Sequence, residues 1–144
     1  LTVRQLDEDR CASLVRSAIH TAYKQGNVVI VGRGGQATLR GIDGVLHVRI
    51  VAPMADRILR LQEREGVDAE AARQMATQQD QSTAQYLHQL FGIRWDDPTL
   101  YHLTINSGKW PSEAVAHIIV NALGPVAMGW MKRMQLNSEG RKGE

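Results

Sequence analysis

Apolar residues recur at three- and four-residue steps through Cys11, Leu14, Val15, Ala18, Ile19, Ala22 and Tyr23. That period predicts an amphipathic helix from about Asp7 to Gln25, with Gly26 as its stop. The pattern then changes. Val28 to Val31 is a short all-apolar run bounded by turn residues, which predicts a strand covered on both faces, as in parallel sheets. A second strand is expected at VLHVRIVA, Val45 to Ala52, closed by Pro53. MADRILRLQEREG reads as a helix with Ile58 and Leu61 inward, and DAEAARQMATQQDQSTAQYLHQLFG as a long helix starting on the N-cap Asp68. Together they predict a helical hairpin. Leu100 to Asn106 reads as a third strand, and PSEAVAHIIVNAL as a helix with Pro111 in its first turn.

Helix, strand, strand, helical hairpin, strand, helix is the order of an α/β protein, a parallel sheet with flanking helices. A chain of 144 residues suits one core, so residues 1–124 are expected to form one α/β domain. Residues 125–144 read as a short helix running into a polar, disordered tail, with an apolar cluster at Met128, Trp130, Met131 and Met134.

Charge and cysteine usage remove several function classes. A net charge of +2, with no basic block beyond the terminal RKGE, argues against a nucleic-acid partner. Cys11 is the single cysteine, so neither an internal disulfide nor a zinc site of paired thiols can form. Its place on the apolar stripe predicts burial. The five histidines are scattered without ligand spacing, so no metal site is expected. No apolar run reaches the roughly 20 residues that span a bilayer, and the first residues lack a signal-peptide core; the expectation is a cytoplasmic protein without a membrane partner.

The chemistry concentrates in NVVIVGRGGQATLRG. A strand ending in Gly32-Arg33-Gly34-Gly35 at the carboxyl edge of a parallel sheet places a guanidinium and unencumbered backbone N–H groups where such folds bind ligands. Arginine's planar fork suits a phosphate or carboxylate. A bland alternative stays open: a tight turn whose glycines supply unusual dihedrals, with Arg33 in a surface ion pair. Gly32, Gly34 and Ala37 also satisfy the relaxed fingerprint G-x-G-x-x-A, but the next strand ends without the acidic residue that would hold a ribose. The phosphate loop G-x-x-x-x-G-K-[ST] does not occur in the sequence.

GNVVIVGRGGQATL, VLHVRIVAPMADRILRLQEREGV, and the Asp80-to-Tyr86 region followed by LFGIRWDDPTLYHLTINSGKW resemble consecutive blocks of the cytidylate kinase-like family, in the nucleoside monophosphate kinase branch of P-loop proteins. The resemblance runs from about Asp7 to Leu123 and implies a P-loop-kinase-like fold whose first strand and P-loop lie upstream of Leu1. It implies that Arg33 grips the acceptor monophosphate, flanked by Gly32 and Gly34, and that Arg57 and Arg60 open the lid helix near the nucleotide. Arg57 and Arg60 can equally be exposed helix charges with weak pairings. Gly34 stands where better-known cytidylate kinases carry an aspartate. Asp80 matches the lid aspartate, but Gln81, Thr83 and Gln85 follow it where the family places arginines.

Phosphoryl transfer is mainly positioning and electrostatic stabilisation, and one arginine finger is worth roughly 10³ to 10⁵ in rate. Without P-loop and lid cations this chain is expected to be inactive by itself and to require no cofactor. A complete protein of this kind would use ATP and Mg2+ to phosphorylate a nucleoside monophosphate. The alternative is a non-catalytic module that binds a nucleotide or phosphorylated small molecule, or that serves oligomerisation. Because buried strands cannot leave N–H and C=O groups unpaired, the missing first strand predicts a homo-oligomer, a dimer.

Overall fold

The structure, a computed structural model, describes residues 3–127. The chain divides into two units that interleave along the sequence. The first takes the segment up to Arg40 together with Ala52–Leu100, and the second takes Gly41–Val51 with the segment from Tyr101.

Three longer helices build the first unit. α1 spans Val3–Gln25, and α2 is a single turn, Gly35–Thr38. α3 (Met54–Glu65) and α4 (Ala69–Phe91) form the expected hairpin. Pro53 precedes α3, where its missing N–H costs nothing, and Gly66 ends it in the left-handed conformation at φ 68°, its N–H donating to the Gln62 carbonyl at 2.9 Å. Asp68 caps α4 as its sequence position predicts, accepting the Ala71 N–H at 2.8 Å. The interface between the two helices is small and tight. Ile58 of α3 and Ala72 and Ala76 of α4 are buried, and the alanines let the backbones approach closely.

α1 packs on α4 with part of the predicted stripe, Val15, Ala22 and Tyr23 being half-buried. Ala12 and Ile19 are buried, whereas Leu14 is 72% exposed and Cys11 is exposed rather than buried. The inward face is centred on Ala12, Val15 and Ile19, so Cys11 and Leu14 at its margin stay exposed.

A second correction falls on Val28 to Val31. Among the described residues this run belongs to no strand, and Val29 and Val31 are 88% and 84% exposed. β propensity and apolar character do not make a strand without a hydrogen-bonding neighbour. Only Ile30 is half-buried, its Cγ2 at ordinary contact distance from a Cβ built on Gly35.

In the second unit β1 (Val48–Val51) and β2 (Leu103–Asn106) pair in parallel, Val48 opposite Leu103 and Val51 opposite Asn106. The parallel pairing is as predicted, and the strands are shorter. The ladder is extended at both ends, by the His102 and Leu103 N–H groups donating to the His47 carbonyl and by the Ser107 N–H donating to Val51 at 2.7 Å. α5 (Ser112–Ala127) begins after Pro111 and continues through Gly124 and Pro125, past the break expected there. The cluster expected at Met128, Trp130, Met131 and Met134, and the tail after it, lie outside the described residues.

Candidate functional site

Three successive residues in the first unit adopt left-handed backbone: Gly32 at φ 69°, Arg33 at φ 59° and Gly34 at φ 79°. Glycine does this freely, whereas for arginine the conformation costs about 1 to 2 kcal/mol. The turn is closed by the Gly35 N–H donating to Gly32 at 3.3 Å and by the Ala37 and Thr38 N–H groups donating to Gly34 at 3.0 and 2.9 Å. Its effect is to lift Arg33 into solvent while Gly34 is buried.

Gly34 is buried because Phe91 lies on it. A Cβ at position 34 would stand 2.5, 2.6 and 2.8 Å from Cε2, Cζ and Cδ2 of the Phe91 ring. A side chain at position 34 would therefore require the Phe91 ring to shift, in addition to the strain of the positive φ. Arg16 of α1 lies over the same ring, 5.3 Å from its centroid, and its Nη2 donates to the Leu90 carbonyl at 3.0 Å. Tyr86 meets the ring edge-on at 6.1 Å.

Arg57 and Asp80 are brought together across the α3–α4 hairpin. Nη1 and Nη2 of Arg57 each donate to one carboxylate oxygen of Asp80 at 2.7 Å, a bidentate pair. These hydrogen bonds raise the Arg57 pKa against the opposing effect of partial burial. Side-chain exposures of 30% and 32% make the pair half-buried, stronger than a surface ion pair. Arg60 is exposed on α3, and the polar run after Asp80 continues α4 without a break, with Gln81 and Gln85 exposed. Gly32, Arg33 and Gly34 thus form one group and Arg57 with Asp80 another.

The acidic pair Asp96 and Asp97 is spent locally. Asp96 pairs with Arg94 at 3.1 Å. Asp97 accepts from the hydroxyl and N–H of Thr99 at 2.7 and 2.8 Å, and these bonds hold its carboxyl below the usual range. Among the described residues no three His, Cys, Asp or Glu side chains gather as a metal site. In the second unit His47 is buried, with its ring stacked on His102 at 5.1 Å, and its N–H donates to Nδ1 of His102 at 2.9 Å. Burial and stacking give His47 a packing role.

Residues 2–109 match the sequence model of the cytidylate kinase-like family. The chain belongs to that family. Among curated relatives, the cytidylate kinase of Pyrococcus horikoshii is 35% identical over 116 residues, covering 78% of this chain and 59% of its own length. The cytidylate kinase of Methanocaldococcus jannaschii is 32% identical over 102 residues, covering 69% of this chain and 57% of its own length. The chain thus spans less than two thirds of the kinases it matches. A crystal structure of a protein of Eubacterium ventriosum, 23% identical, superposes with a TM-score of 0.70 over 81% of this chain and 64% of that one, a likeness of fold. Among the described residues no helix is long and apolar enough to cross a membrane.

The family resemblance was legible in the Gly32-Arg33-Gly34 turn and in the run from Trp95 to Gly108. What the sequence did not disclose as site features are Phe91, Arg16 and the bidentate character of the Arg57–Asp80 pair. For the pair a signal existed: opposite charges on the inward side of both arms of a predicted hairpin. For Phe91 none did, since the contact joins a loop to the last residue of a helix far along the chain.

Proposed function

We propose that this chain is the acceptor-binding part of a cytidylate kinase-like protein that, when complete, transfers a phosphoryl group from ATP to a nucleoside monophosphate. The observation that carries the reading is the left-handed Gly32–Arg33–Gly34 turn, which spends conformational energy to hold one guanidinium out in solvent. In this reading Arg33 takes the acceptor phosphate through its planar fork, Gly32 and Gly34 give the backbone its approach, and Arg57, Arg60 and Asp80 form the lid side. ATP and Mg2+ supply the transferred group and its charge neutralisation when bound, and this chain's own residues bind and orient. The fold of the complete protein is P-loop-kinase-like, its setting is cytoplasmic, and this chain alone is inactive.

Isothermal titration of the purified chain with CMP, ATP and inorganic phosphate tests the reading. Wild type is expected to bind CMP and phosphate, and Arg33→Ala to weaken both at least about ten-fold, the equivalent of about 1.4 kcal/mol. Equal binding by both proteins would remove Arg33 from the site.

A second reading, a non-catalytic phosphate-binding or oligomerisation module, is favoured by Gln81, Thr83 and Gln85, which put no cation after Asp80. Both readings include a homodimer, supported by the exposed apolar side chains of Val28, Val29 and Val31. Light scattering is expected to give twice the 16.0 kDa chain mass; a monomer at all concentrations would exclude the dimer.

A further inference from the structure

We propose that Phe91 is the positioning residue of the Arg33 turn: its ring is a fixed wall that keeps Gly34, and through it Arg33, in left-handed backbone. The ligand side of this inference rests on the reading of Arg33 as an anion-binding residue.

The half-buried ring is held by contacts from two helices. Phe91 is the last residue of α4, and Gly92 closes that helix in a left-handed cap at φ 65°, its N–H donating to the His88 carbonyl at 2.9 Å. The Arg16 guanidinium covers one face of the ring and is itself held by the Leu90 carbonyl. Tyr86, one helical turn and a residue earlier in α4, meets the ring at an interplanar angle of 63°. Against this group the Gly34 backbone approaches so closely that even a methyl group would overlap the ring.

Two properties of the turn follow from that contact. Position 34 must be glycine for a volumetric reason in addition to its positive φ. The strain at Arg33 is held by packing on its neighbour, since a residue in this backbone region persists only where its surroundings over-determine it. Removing the ring leaves Gly34 free to rotate, and Arg33 then relaxes toward the right-handed region with its guanidinium redirected.

The test uses the whole chain in five forms: wild type, Phe91→Leu, Phe91→Ala, Gly34→Ala and the double variant Phe91→Ala/Gly34→Ala. The amide-to-Hα coupling of Arg33, read by NMR, reports its φ without any ligand. Phe91→Ala is expected to shift that coupling toward the right-handed value, and Phe91→Leu to shift it less. Titration with inorganic phosphate is expected to show about ten-fold weaker binding for Phe91→Ala, equivalent to about 1.4 kcal/mol. Gly34→Ala is expected to weaken binding strongly alone and little further in the Phe91→Ala background, the non-additivity of two groups that act on one another.

An unchanged Arg33 coupling in Phe91→Ala overturns the proposal whatever the ligand data show. Should Phe91→Ala fail to fold, Phe91→Leu carries the same two readouts. Phosphate binding lost in Arg33→Ala but intact in Phe91→Ala also overturns the positioning role. An altered coupling together with no phosphate binding by wild type supports the positioning role and defeats the anion reading instead, so the two failures are distinguishable.

Discussion

Gly34→Asp is expected to destabilise the chain by about 3 kcal/mol, although it installs the residue that better-known cytidylate kinases carry at this position. Two costs add. An aspartate at φ 79° sits in left-handed backbone, worth about 1 kcal/mol for a residue that tolerates the region better than most. Its Cβ then falls 2.5 Å from the Phe91 ring, which Arg16 and Tyr86 keep from swinging aside, and overpacking of this kind costs roughly 1 to 3 kcal/mol. Thermal unfolding followed by circular dichroism should show Tm falling by about 10 °C for a chain of this size. A Tm within a degree or two of wild type would mean that the ring yields easily and is no wall.

Arg57→Ala carries the second largest expected effect, a loss of roughly 1 to 2 kcal/mol. Breaking a fully buried pair by removing one partner costs about 3 to 5 kcal/mol and a surface pair less than about 1, and side chains each about a third exposed lie between. The loss includes two 2.7 Å charge-assisted bonds and leaves the Asp80 carboxylate on the α3–α4 seam without its cation. Urea unfolding of Arg57→Ala, Asp80→Ala and the double variant measures the coupling, expected near 1 kcal/mol and reduced by added salt. Additive effects of the two single substitutions would show that the pair is a geometric coincidence.

Periodicity located the helical hairpin, its Asp68 cap and the parallel β1–β2 pair, because those features arise from neighbours in sequence or from one burial pattern. It failed at Val28 to Val31 for a physical reason: an apolar run states that a strand could be covered, and says nothing of what covers it. It drew the α1 stripe too wide: Ile19 is buried as expected, but Cys11 and Leu14 lie at the exposed margin of that face. The Gly32-Arg33-Gly34 turn was legible as a turn from its glycines. The reason the turn is stable was hidden, since Phe91 meets Gly34 across a long stretch of chain and no spacing rule links them.

The interleaving of the two units sets how the chain can be taken apart. The polypeptide passes from one unit to the other at Arg40–Gly41, again at Val51–Ala52 and again at Leu100–Tyr101. A single cut therefore liberates neither unit. A fragment ending after Leu100 would carry β1 without β2, and one starting at Ala52 would carry the hairpin without the Arg33 turn. Exchanging either unit whole would need joins at more than one of these junctions.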